Sequence, residues 1–95
     1  MPRLKSLELH KNKIGDNGMQ ALASAFAGGA FRELEVLGLR WNKIGDAGLT
    51  AFAAALKKGA LPALSWLWVD RVHMENPRLK AACDQRGVHL QGYPQ

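Results

Sequence analysis

LKSLELHKNKIGDNGMQALASAFAGGA, residues 4–30, falls on LEVLGLRWNKIGDAGLTAFAAALKKGA, residues 34–60, when the sequence is laid against itself at an offset of 30. The two segments share three leucines, then Asn-Lys-Ile-Gly-Asp, a further glycine and a regular series of alanines. Recurrence in register over such a span marks a repeat array, in which each unit is one supersecondary element stacked on the next. A third copy, LSWLWVDRVHM from Leu64, keeps apolar residues at Leu64, Leu67, Val69 and Met74 but carries Val72 where Asn12 and Asn42 stand. One domain over residues 1–95 follows, with units at 4–33 and 34–63 and a divergent unit with a closing segment at 64–95.

Each unit reads as a strand followed by a helix. Apolar residues alternate through Leu7–Leu9, Leu37–Leu39 and Leu67–Val69, the period of a strand with one buried face. Met19, Leu22, Ala23 and Phe26 then recur at the spacing of one helical face, and Leu49, Phe52, Ala53 and Leu56 repeat it. Asp16 and Asp46 are the expected N-caps, and Gly29 and Gly59 stand where helix ends favour positive φ. Strand, helix and return in one direction make the strands parallel and adjacent. A helix is wider than the strand spacing of about 4.8 Å, so the stack curves, with strands on the concave side and helices on the convex side.

The pattern LxxLxLxxNxIGDxG, recurring in register, resembles the leucine-rich repeat, and the full helix in each unit resembles its ribonuclease-inhibitor-like subtype. The resemblance covers Leu4 to about Leu90 and implies an α/β solenoid, a horseshoe segment of period 30. Asn12 and Asn42 read as structural residues whose amides satisfy backbone groups at the exit from the strand. Gly15, Gly18, Gly45 and Gly48 read as positions of a tight turn and close approach to the neighbouring coil. A phosphate-binding reading of Gly15-Asp16-Asn17-Gly18 fails, because the carboxylate repels phosphate and no Lys-Ser or Lys-Thr follows.

The chain's two ends differ. Asn76-Pro77 is a good helix opening, Leu79, Ala82 and Cys83 continue the inward stripe, and Gly87 ends the helix. NPRLKAACDQRGVHL resembles the closing segment of algal and protist repeat proteins of this subtype. Arg86 falls where the stripe's next apolar residue belongs, which predicts that nothing packs over the last turn. Val88-His89-Leu90 is a candidate edge strand before a polar tail, Gln91 to Gln95. The Leu4, Leu7 and Leu9 strand, by contrast, presents an open sheet edge, and such edges pair with something. Upstream repeats of a longer parent, a homo-dimer through this edge and simple tolerance of the exposure all remain open.

Residues between the leucines point to the concave surface. The period places Ser6, Val36 and Trp66 in one row, Glu8, Gly38 and Trp68 in the next, His10, Arg40 and Asp70 in a third, and Lys11, Trp41 and Arg71 in a fourth. All three tryptophans of the chain gather there with two arginines, the residue types most enriched at binding hot spots. Glu8, His10, Lys11, Arg40, Trp41, Trp66, Trp68, Asp70 and Arg71 are therefore the candidate partner-binding residues. Internal packing is the competing reading: Trp68 across Gly38, Arg40 paired with Asp70, and Trp41 between Lys11 and Arg71.

Function follows from what the residues offer. The leading expectation is a protein–protein interaction scaffold binding through the concave face, since the resemblance implies protein partners. The alternative is the C-terminal part of a longer repeat protein without independent activity, such as a regulator of small GTPases. Enzymatic chemistry is not expected: Cys83 falls on the inward stripe as a buried thiol, and His10, His73 and His89 lack the spacing of a metal site. No catalytic residue, metal or cofactor is assigned. Thirteen Lys and Arg against eight Asp and Glu give a net charge of +5, but the basic residues are scattered over every unit, so nucleic-acid binding is the third and weakest reading. Lys57-Lys58 sits near a helix C-terminus, where cations are favoured anyway. A 47% hydrophobic share with no long apolar run argues against membrane spanning. One cysteine and a charged start, MPRLKSLELHK, point to a reducing, cytoplasmic setting.

Overall fold

The computed structural model of the chain describes residues 4–9, 13–40 and 42–93. Strand and helix alternate along it: β1 (Ser6–Glu8), α1 (Asp16–Ala27), β2 (Val36–Gly38), α2 (Asp46–Lys57), β3 (Trp66–Asp70), a 3-10 helix (Arg71–Glu75), α3 (Pro77–Arg86) and β4 (His89–Tyr93). The strands form one parallel sheet in chain order, with Leu7, Leu37, Leu67 and Leu90 in one row. Parallel neighbours need a crossover at each step, and the helices supply it.

The core lies between sheet and helices. Leu37 and Leu67 project into it from the strands, and Leu49, Phe52, Ala53 and Leu56 close it from α2, all buried. Phe26 of α1 meets the Phe52 ring edge-on, with centroids 6.2 Å apart, and so joins the first coil to the second. Met19, Ala23 and Phe26 are buried in α1, whereas Leu22 is only half-buried. Helix α2 packs against both α1 and α3.

The ends of α1 and α2 follow one design. Gly29 and Gly59 have φ of 102° and 100°. Ala30 N–H donates to the Ala25 carbonyl at 3.1 Å and Ala60 N–H to Ala55 at 3.0 Å, the Schellman arrangement that such a glycine permits. Phe31 and Leu61, one period apart, also take left-handed φ, 57° and 50°. A left-handed backbone costs a non-glycine residue about 1–2 kcal/mol, and the complete burial of Leu61 offsets it.

Three expectations are corrected. Asp16 and Asp46 are the first helical residues and not the caps; Gly15 and Gly45 hold the cap positions, with no side-chain cap bond. Asp16 instead reaches the next coil, where its Oδ1 accepts from Gly45 N–H at 2.7 Å and Gly48 N–H at 2.9 Å. It thus serves the N-terminus of α2, whose first N–H groups have no partner within their own helix. Arg86 does not face an empty space: its guanidinium donates to the carbonyls of Leu56 at 2.6 Å, Ala60 at 2.8 Å and Leu61 at 2.7 Å. Nor is Gln91 the start of a tail, since β4 runs on to Tyr93.

Asn76 opens α3 in the expected way. Its Oδ1 accepts from Arg78 and Leu79 N–H, both at 3.0 Å, with Pro77 at the first helical position. The preceding 3-10 helix takes the place of the Asn-Lys-Ile-Gly-Asp turn, so Val72, standing where Asn42 stands, has no turn to support and is 66% exposed.

Candidate functional site

The sheet has one face turned to the helices and one turned away. Strict alternation leaves to the second face the rows Ser6, Val36, Trp66 and His89, then Glu8, Gly38, Trp68 and Gln91, and, on the last two strands, Asp70 and Tyr93. Trp66 is 41% exposed, while Trp68 is half-buried. The two indoles are two residues apart on β3, project to the same side and stack, with centroids 6.0 Å apart and planes 15° from parallel. The His89 ring lies 4.1 Å from that of Trp66, tilted by 49°, and its Nε2 is 3.3 Å from Gln91 Oε1. The result is a ridge of three rings across β3 and β4, in which Trp66 and His89 are exposed and Trp68 is half-buried. Such rings lose little side-chain entropy when a partner covers them.

Glu8 fills the gap that Gly38 leaves. A Cβ added at Gly38 would lie 2.8 Å from the Glu8 Cδ, so the carboxylate group rests over the glycine and brings an acid to the row of Trp68. At the start of the same strands, Lys5 Nζ and Glu35 Oε2 pair across β1 and β2 at 3.2 Å, both exposed.

The remaining candidates divide. Arg40 is half-buried and Arg71 is exposed at the start of the 3-10 helix. Asp70 is buried, with Oδ2 3.9 Å from the Nδ1 of buried His73, which removes it from any exposed binding face. Its register is the expected one, opposite Tyr93, but the carboxylate is buried beside His73 of the 3-10 helix. His10, Lys11, Asn12 and Trp41 lie outside the described residues. Asn42 is buried: its Nδ2 donates to the Leu9 carbonyl at 2.7 Å and to Leu39 at 3.0 Å, and its Oδ1 accepts from Ile14 N–H at 2.9 Å. One amide thereby ties the first coil to the second at the strand exit. Gly48 touches that same neighbour: a Cβ there would lie 2.8 Å from Asp16 Oδ1 and 3.0 Å from Met19 Cβ.

His89 and Gln91 were not among the sequence candidates. The signal was present in the alternation Val88-His89-Leu90, which puts Leu90 inward and His89 outward, but the period of 30 does not reach it: Trp66 pairs with His89, 23 residues on. A second concavity, a cleft of about 720 Å³, opens between the second and third coils against Ile44, Asp46, Thr50, Val72 and Pro77.

Among the described residues no group of three or more His, Cys, Asp or Glu is arranged to hold a metal ion. The Cys83 thiol is buried, and its pKa is pushed up from 9.0 to about 11, by burial first, then by the charge of Asp84, against the opposing effect of Arg86. A thiol so held stays protonated and is a poor nucleophile. Among the described residues no helix is long and apolar enough to cross a membrane.

Comparison with known proteins agrees with the geometry. The family model of the leucine-rich repeat matches residues 2–23 and 33–53, one match to each of the first two units. No curated protein and no solved structure gives a match. Leucine-rich repeats are typically non-catalytic modules that mediate protein–protein interaction. Two matched repeats, laid in register in a parallel sheet backed by helices, identify the chain's architecture as that of the leucine-rich repeat.

Proposed function

We propose that the chain is a protein-binding scaffold whose contact surface is the open face of the sheet, centred on Trp66, Trp68 and His89 and flanked by Glu8. The observation that carries this is the 41% exposure of Trp66 within a three-ring ridge. Large rings left partly open on a rigid sheet supply contact area at low entropic cost, and tryptophan is prominent among binding hot spots. The twelve-residue helices of the first two units favour the ribonuclease-inhibitor-like subtype within the repeat family. A reducing, cytoplasmic setting fits the single buried thiol of Cys83.

The test is capture of protein partners by the immobilised chain, by Trp66→Ala and by Gln85→Ala, which alters an exposed residue of α3 on the opposite layer. Loss of a partner of at least about tenfold in affinity with Trp66→Ala alone, at an unchanged melting temperature, supports the reading. Equal capture by all three sinks it, and a large stability loss in Trp66→Ala would mean that the rings are packing residues.

A further inference from the structure

The methionines of the chain are held differently. Met19 is completely buried in the core, and Met1 lies outside the described residues. Met74 is half-buried: it packs on the core and lines a hollow of about 460 Å³ shared with Lys80 and Asp84 of α3 and with Val88 and Leu90. One and two periods earlier the same position is Ile44 and Ile14. The last coil therefore puts a thioether, which peroxides attack, where the other units have a hydrocarbon that they do not.

What the thioether touches is β4. A Cβ added at Gly92 would collide with the Met74 Sδ, and would lie 3.1 Å from Met74 Cγ and 3.1 Å from Arg71 Cα. Gly92 takes no left-handed φ, so its lack of a side chain answers to the room that Met74 occupies and not to a backbone bend. Met74 thus pins the 3-10 helix onto the strand. Gly92 stands opposite Val69 in the ladder, next to Gln91, and the same strand carries His89. The strand so held supplies two residues of the open face, and among the described strands only β3 pairs with it.

We propose that Met74 is an oxidation site, and that its conversion to the sulfoxide by hydrogen peroxide releases the C-terminal half of β4 from the 3-10 helix. A sulfur lone pair attacks one peroxide oxygen, the S–O bond forms as the O–O bond breaks, and sulfur loses two electrons to the peroxide. The proton on the transferred oxygen passes to the departing hydroxide, which leaves as water. An oxygen turned toward Gly92 has no room, because the thioether already fills that space. One turned away still makes polar a group that packs on the core, the change by which methionine oxidation disrupts packing. Loosening of β4 is independent of the protein-binding reading above; the control that it gives over His89 and Gln91 as contact residues rests on that reading.

The test treats the whole chain with dilute hydrogen peroxide and reads it by peptide mass spectrometry and amide exchange. In the folded chain Met74 should oxidise at least about tenfold faster than Met19, and in urea the two should oxidise alike. Once Met74 is oxidised, the amides of residues 91–93 should exchange at least about tenfold faster while those of α2 do not change, and methionine sulfoxide reductase should restore them. Met74→Leu, an apolar replacement of similar volume, should hold β4 as the parent does and not respond to peroxide, whereas Met74→Gln should loosen it before any peroxide is added. Equal oxidation of Met74 and Met19 in the folded chain overturns the proposal, as does unchanged exchange in the oxidised chain. The same loosening by peroxide in Met74→Leu would assign the effect to another oxidised group and overturn it as well. Exchange is read without any partner, so a failure of the protein-binding reading leaves this test intact.

Discussion

Arg86→Leu restores the apolar residue that the repeat has at Phe26 and Leu56, and it should nevertheless destabilise the protein. The guanidinium serves three carbonyls, two of which keep a backbone donor without it: Leu56 retains Gly59 N–H at 3.1 Å and Leu61 retains Leu64 N–H at 3.0 Å. The Ala60 carbonyl loses its one hydrogen bond among the described residues. An orphaned, part-buried carbonyl costs about 1–3 kcal/mol, and two charge-assisted bonds removed from carbonyls that remain paired bring the loss to about 3–5 kcal/mol. Burial of the new leucine returns about 1.5–2 kcal/mol. The net loss of about 1–3.5 kcal/mol corresponds to a fall of about 5–25 °C in melting temperature for a domain of this size. Urea unfolding followed by tryptophan fluorescence measures it, because Trp66 and Trp68 lie on the strand that α3 and β4 complete. Arg86→Lys should fall between, since one ammonium does not span three carbonyls as a planar fork does. A leucine variant as stable as the parent, with an unchanged m value, would refute this account and restore Arg86 to the role of a surface charge.

Two further outcomes follow from the polar contacts. Asp16→Ala removes an acceptor shared by two helix N-terminal N–H groups of the next coil and should cost about 2–3 kcal/mol, with Asp16→Asn, which keeps an acceptor oxygen, losing about 1 kcal/mol; thermal unfolding no different from that of the exposed control Asn17→Ala would contradict the inter-coil role. Cys83 has a folded pKa raised from 9.0 to about 11, so the folded state holds its proton where the unfolded state releases it. Its contribution is fully present below about pH 9 and is lost as pH rises toward 11, by up to about 2–3 kcal/mol. Urea midpoints at about pH 8 and 10.5 should therefore fall less in Cys83→Ala than in the parent, and equal slopes would contradict the shift.

The repeat made the fold legible because its evidence is redundant. The same leucine alternation and the same helical stripe appear twice in register, and the register fixes which residues share a row, as Ser6, Val36 and Trp66 do. Sequence reasoning fell short where contacts leave their own unit. Asp16 looks like a helix cap because local rules consider only its own helix, yet its acceptor atoms reach residues 29 and 32 positions on. Asp70 looks exposed because alternation assigns it outward, but it is buried, with His73 of the 3-10 helix beside its carboxylate. His89 was invisible to the period because the last coil is shorter than the others.

These departures share a direction. In the last coil two residues that break the pattern link back to the coil before: Asn76 Nδ2 meets Asp46 Oδ1 at 3.3 Å, and Arg86 meets Leu56, one period earlier. Position 76 is where the period would place another aspartate, and an amide there both caps α3 and donates to Asp46. The same period position thus reaches forward where it is an aspartate, from Asp16 to Gly45 and Gly48, and turns back where it is an asparagine, to its own helix and to Asp46.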